Sequence, residues 1–444
     1  MMAEHVQSFQ DLLIEGHLPT REFILPLHEL ITGGESIKLK GIPAHYNRDG
    51  ELLLKIENIA TFPLASELLG LNEPKAKCVA EFLELIFVDA SSLGPPRKVN
   101  AIAKLRKTPS LICKIDEAHS VSAYLINGPN LNTGPRTTSY TFGNYQLFVK
   151  DLKQDKEPLN ISFQRQHKRI ITHELTLKHS SGDMISSSEA IGRLSHFCHF
   201  LTFVKGNYCG LGHIIGKDKA NNVNYCYLGF NSSDSFQNTS NWFTTHSIRF
   251  LNDLYQSYSE AVSRESDVYA ISKSIAFYRA SNYNSSTISE IALISSFAAL
   301  EILVPHILET QAKASLPSHE GWIAELITTK PKFASQIRSV AKYINLNADL
   351  LEHAPELKKR LNSLNGHDAY DLLCLFRNRI VHPGKRFKCS RSEIFDMWNI
   401  SQFIVEVLIL YMIGAPEDIK DRRTMVEVIK FPARRGLNFP QIID

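Results

Sequence analysis

Residues 371–391 read DLLCLFRNRIVHPGKRFKCSR, and this stretch decides how the C-terminal half of the chain is understood. Leu372, Phe376 and Ile380 recur every fourth residue, and Leu373 and Val381 widen the stripe into the core face of a helix. Asp368 stands ahead of it as an N-cap, and Asp371 suits the positive end of the helix dipole. Pro383 cannot continue the helix and pushes His382 out of the α region, after which Gly384 reverses the chain. The pattern therefore predicts a helix that ends at His382. Asn378, four residues earlier, shares the histidine's face. Arg377 is one position to the side, on a stem long enough to reach the helix end. Between Leu372 and Ser392 lie six cations (Arg377, Arg379, Lys385, Arg386, Lys388 and Arg391) and no carboxylate. The helix dipole favours imidazolium at that end, and the cations that follow oppose it.

Those residue types suit phosphodiester chemistry on RNA. A histidine can move protons at the 2′-hydroxyl or at the leaving oxygen. An arginine can grip a phosphate at two points as negative charge grows on it. Asn378 can orient the imidazole or bind phosphate. Arg379, Lys385, Arg386, Lys388 and Arg391 supply a phosphate-attracting surface, and none of this requires a metal. Glu301, in SFAALEILVP, has Phe297, Ala298, Val304 and Pro305 at three and four residues, so a buried carboxylate in need of a partner is expected. Arg377 is the natural partner, with another cation or the edge of the bundle as alternatives. The bland reading of the whole stretch is a helix C-cap followed by solvated cations.

RNRIVH matches the R-x4-H motif of the HEPN superfamily, in its R-N-x-x-x-H form, at Arg377, Asn378 and His382. The motif stands at a helix end, a long apolar helix follows it, and SSFAALEIL precedes it by about 80 residues. This layout resembles the HEPN domains of ApeA-like bacterial antiphage proteins over about residues 285–413. The resemblance implies a small helical bundle and a metal-independent endoribonuclease acting on RNA, tRNA among the candidates. It also implies two motif copies meeting in a homodimer or higher even oligomer, and a phage-derived trigger. Some HEPN domains are non-catalytic, which leaves a dimerisation or partner-binding module as the alternative.

The rest of the chain bounds these readings. Its 444 residues suggest two or three domains, and 43% hydrophobic and 21% charged residues are ordinary for a globular protein. A net charge of +3 is too small to imply an anionic partner by itself, so any such partner rests on local patches. The opening MMAEHVQSFQDLL lacks a basic segment followed by an apolar core, so no signal peptide is expected. The run MWNISQFIVEVLILYMIG is broken by Gln402 and Glu406, and no membrane span is expected. Seven cysteines without framework spacing suit reduced thiols in a cytoplasm.

The fold class read from the pattern is α+β. SIKLKGI, ELLLKIENI, SVSAYLI, YQLFVKDL and RIITHELTLKH read as strands separated by turn signals such as NGPN and SSGD. SSSEAIGRLSHFCHFLTFVKG reads as a helix closed by Gly206, and YCGLGHIIG and NYCYLGF as further strands. After the polar stretch NSSDSFQNTSN the pattern turns helical. Helices are expected over HSIRFLNDLYQSYSEAV and over TISEIALISSFAALEILVPHILET, which opens with a Thr287–Glu290 capping box. Shorter ones are expected at Trp322–Ile327 and Phe333–Ile344, and RSEIFDMWNISQFIVEVLILYMIG should lie at a bundle centre. This gives a β-rich sensor or regulatory domain over 1–240, a helical HEPN-like domain over 241–415 and a tail over 416–444. His196, Cys198, His199, Cys209 and His213 tempt a zinc reading. No CxxC pair accompanies them, and Phe197, Phe200, Leu201 and Phe203 mark a core helix instead. No phosphate-loop, serine-hydrolase or zinc-protease motif appears, and no cofactor and no metal is expected.

Overall fold

The computed structural model describes residues 115–131, 137–151, 171–230, 239, 241–243, 246–285, 289–312, 332–346, 348–364, 367–382, 388–415 and 422–423. To these it adds the backbone of separate strands before residue 115 and after residue 415. The expected helix at Trp322–Ile327, and Thr287, Pro383, Gly384, Lys385 and Arg386, lie outside the described residues. The chain forms two compact units, one of residues 1–128, 134–198 and 209–236, the other of 129–133, 199–208 and 237–444. The architecture is α+β: strands fill the first unit and helices dominate the second.

The first unit holds an antiparallel seven-stranded sheet. Its strands are β1 Ser110–Cys113, β2 Ser120–Ile126, β3 Thr137–Phe142, β4 Tyr145–Asp151, β5 Ile171–His179, β6 Gly210–Lys217 and β7 Val223–Phe230. Their spatial order is β3-β4-β5-β2-β6-β7-β1. Alternation sets the faces: Val121, Ala123 and Leu125 point inward, opposite Leu177, Leu175 and His173 on β5. The hairpin between β3 and β4 turns through Gly143, whose φ of +53° is the backbone glycine tolerates best. Strands Leu83–Ala90 and Val99–Leu105, not expected from the sequence, join Phe23–Ile24, Pro43–Tyr46 and Leu52–Ile56 in a separate five-stranded sheet.

Helix α1, Ser187–Lys205, begins in the first unit, where Phe197 packs on Tyr140 at 5.2 Å between ring centroids. It stops before Gly206, whose φ is +80°. A Cβ there would meet the Asn282 amide at 2.8 Å, so the glycine serves close packing as well as the turn.

The second unit is built from α2 Leu251–Ser263, α3 Glu265–Asn284, α4 Ser289–His306, α5 Phe333–Tyr343, α6 Pro355–Asn362, α7 Ala369–Val381 and α8 Arg391–Ile413. Helix α3 was not expected. Its inward positions recur at helical spacing but carry Asp267, Ser274, Ser281 and Asn282 among Ala270, Ile271, Ile275 and Tyr278. The small hydroxyl residues allow α4 to approach closely, and Ser281 donates to the Ala292 carbonyl at 2.6 Å. Helix α8 is buried along almost its whole length, as a place at the bundle centre requires: Phe395 is exposed, and nearly everything after it is core. Helix α8 and Ser289–Thr310 are long and apolar enough to cross a membrane, with 78% and 56% of their apolar windows buried in the fold.

The tail contributes to this core. Arg422 is fully buried and donates to Glu406 of α8 at 2.9 Å and to Asn282 of α3 at 3.3 Å. Tyr278 donates to the same Glu406 oxygen at 2.6 Å, and the Trp398 ring lies 5.0 Å from the Arg422 guanidinium. Strands Asp418–Lys420 and Val428–Lys430 pair on either side of this residue.

Candidate functional site

Helix α7 is fixed at its N-terminal end. Asp368 accepts from the Tyr370 and Asp371 amides at 3.0 Å, and Asp371 accepts from the Asp368 amide at 3.2 Å, a complete capping box. Arg338 of α5 grips both carboxylates, at 2.6 Å and 3.0 Å. Burial pushes the Asp368 carboxyl up, but the Arg338 guanidinium and the Asp371 amide outweigh it and leave its pKa lowered. Leu372, Leu373 and Phe376 are buried as the stripe requires. The stripe ends earlier than expected: Ile380 is half-buried and Val381 exposed. At that end the His382 amide donates to the Asn378 carbonyl at 2.9 Å, and His382 itself has non-helical backbone angles, φ −123° and ψ 74°.

Arg377 is half-buried and donates to Glu301 of α4 at 2.7 Å and to the Asn378 side-chain carbonyl at 3.2 Å. The expected partnership is therefore present, but the expected burial of Glu301 is not. Its side chain is 44% exposed, because Glu301 sits on the edge of α4 rather than on the face toward α3 and α8. Asn378, Arg379, His382, Lys388 and Arg391 are exposed.

An open cleft of about 750 Å³ lies beside Arg377. Glu301, Arg377, Asn378 and Arg379 line it, whereas His382 stands one helical turn beyond Asn378 and outside the lining, as do Lys388 and Arg391. The cleft also brings in Lys332, Arg360 and His367, which sequence reasoning missed because they come from separate segments with no shared motif. Arg360 is structural: it makes a two-point contact with Glu393, at 2.5 Å and 2.9 Å, and stacks on Phe376 at 5.5 Å. Cys374 also lines the cleft. Burial pushes its thiol up to about 12, so it stays protonated at neutral pH and is a poor nucleophile.

The tempting histidine–cysteine cluster is put to other uses. Cys198 and Cys209 are buried, and the Cys209 thiol donates to the Asn127 carbonyl. His199 bonds Tyr258 at 2.6 Å, and burial, with Arg279 nearby, lowers its pKa to about 4. Among the described residues no three His, Cys, Asp or Glu side chains gather as metal ligands, and the His213 side chain lies outside them.

Two family models match the chain. Residues 118–239 are similar to the YopA central domain, and residues 265–428 are similar to the YopA C-terminal domain. Neither description carries an activity. No curated protein and no solved structure matches. The cleft and all the motif residues fall within the stretch similar to the C-terminal domain, which extends past the bundle to take in Arg422.

Proposed function

We propose that the chain is a metal-independent, HEPN-type endoribonuclease of a bacterial antiphage system, with the helical unit as its nuclease and the β-rich unit as its sensor. One observation carries the reading. A helix end presents Arg377 and Asn378 at the edge of an open cleft and His382 in solvent just beyond, with a single exposed carboxylate holding the arginine. A phosphate can replace Glu301 on Arg377 without unburying anything, and the guanidinium then has two-point geometry for a non-bridging oxygen. The chemistry is transesterification. The 2′-oxygen attacks the adjacent phosphorus and the bond to the 5′-oxygen breaks, giving a 2′,3′-cyclic phosphate and a 5′-hydroxyl. His382 removes the 2′ proton or delivers one to the leaving oxygen. One histidine serves one side of the phosphate, so two chains meeting through this end of α7 in a homodimer supply both roles. On this reading the protein acts in the cytoplasm, where RNA, tRNA included, is the substrate, a phage component is the trigger, and growth arrest of the infected cell is the outcome.

The test is cleavage by the purified full chain in excess chelator, with and without lysate of phage-infected cells, followed by end-group analysis. Cyclic phosphate and 5′-hydroxyl ends, lost in His382→Ala, are expected. Activity that disappears in chelator and returns with magnesium would sink the mechanism. Phage protection that survives His382→Ala would instead favour the non-catalytic module, in which the Arg377–Glu301 pair is simply structural.

A further inference from the structure

The cleft has a floor that the proposed cleavage chemistry does not use. Phe297 is buried and Phe333 half-buried, with ring centroids 5.8 Å apart and planes tilted by 53°. The Arg377 guanidinium lies 6.0 Å from the Phe297 ring centre, so the arginine and the aromatic floor belong to one surface. Lys332, the residue before Phe333, is exposed on the rim, and Arg379 faces the same space. The two carboxylates on the wall already have arginine partners: Glu301 has Arg377, and Asp371 has Arg338. Lys332 and Arg379 thus put positive charge beside an aromatic surface.

We infer that this cleft holds a nucleotide of single-stranded RNA, its base against Phe333 and its flanking phosphates drawn by Lys332 and Arg379. The inference rests on the reading of RNA as the substrate. Every base has a face that can stack, so the contact is tolerant of sequence, and paired bases do not offer it. A volume of about 750 Å³ suits a ligand the size of one nucleotide. The base subsite would sit next to the arginine that grips the scissile phosphate. The protein would thus cut unpaired loops or ends in preference to stems.

The experiment uses the full chain carrying His382→Ala, so that RNA survives, and follows the anisotropy of a short labelled single-stranded RNA. Its comparison is an abasic ribose-phosphate oligomer of the same length. Phe333→Ala should weaken the RNA about tenfold and leave the abasic oligomer unchanged. Lys332→Ala and Arg379→Ala should weaken both. Phe333→Leu keeps apolar volume but removes the ring, and it replaces the alanine variant if circular dichroism shows that variant misfolded. RNA held as tightly by Phe333→Leu as by its parent overturns the inference, as does a duplex bound as well as the single strand. A nucleoside monophosphate that displaces the RNA at micromolar concentration identifies a free nucleotide as the occupant and also overturns it. The cleavage reading is scored separately on the wild type: cleaving with Phe333 irrelevant keeps the nuclease and drops the subsite, and the reverse result keeps the subsite alone.

Discussion

Two arginine–glutamate pairs in the helical unit are alike in chemistry and opposite in setting. Arg422 and Glu406 are 0% and 1% exposed, sealed among Tyr278, Asn282 and Trp398. Arg377 and Glu301 are 28% and 44% exposed, at the mouth of a cleft. A buried pair cannot part, because either ion left alone would lack both its counter-charge and water. An exposed pair is worth about 0–1 kcal/mol, so its arginine can be surrendered to a phosphate at little cost. The same two side chains therefore make a lock in one place and a latch in the other.

The largest expected effect breaks the lock. Arg422→Ala should destabilise the helical unit by about 3–5 kcal/mol in denaturant unfolding. Arg422→Met combined with Glu406→Leu should recover much of that loss, because it removes both ions together. A mild Arg422→Ala would mean that the buried carboxylate finds other donors, and the contrast would fail.

Next comes the latch. Arg377→Lys keeps the charge but loses the planar grip, and it should lower single-turnover cleavage about 10²–10³-fold with unchanged melting. Arg379→Lys should be mild, since charge alone serves there. Equal losses at the two positions would assign the grip wrongly.

A neutral, half-buried histidine adds a third arrangement. The His199 pKa falls from about 6.5 in the unfolded chain to about 4 in the fold. Between those values the unfolded state binds more protons, so stability should fall as pH drops from about 6.5 to about 4 and be fully present above that window. The contribution at stake is on the order of 3 kcal/mol. Thermal melts across that range should show it, and His199→Phe should flatten the slope.

The smallest expected effect is Glu301→Gln. Stability should change by less than about 1 kcal/mol, while RNA binding tightens by up to about fivefold, because Arg377 no longer has to leave a carboxylate. Weaker binding would mean that Glu301 positions the arginine rather than competing for it.

Much of this comparison was legible in the sequence, but unevenly. The α7 cap at Asp368, the helix end at His382 and the pairing of Glu301 with Arg377 follow from local rules about caps, proline and isolated carboxylates. The exposure of Glu301 did not follow, because apolar neighbours at three and four residues also occur at the edge of a helix whose other faces are covered. Lys332, His367 and the Phe297–Phe333 floor escaped notice because segments far apart in the chain assemble them. Helix α3 escaped for a different reason: serine, aspartate and asparagine at its inward positions hide the apolar period, and those residues are what close packing and the buried network use. Arg422 stands in a polar stretch with no local sign of burial, and its partners, Glu406 and Asn282, come from distant helices.

The place of Arg422 in the chain has a consequence for synthesis. The ribosome delivers α3, α4 and α8 before it delivers the cation they enclose. Until residue 422 emerges, Glu406 must stay hydrated or take up a proton, and the bundle around it cannot close in its final form. A nascent chain stalled just before that residue should be cut by protease within the bundle, and one stalled well beyond it should resist. On the proposed nuclease reading, a bundle that stays loose for as long as its own translation lasts would keep the cleft from maturing beside the messenger and tRNAs that are making it.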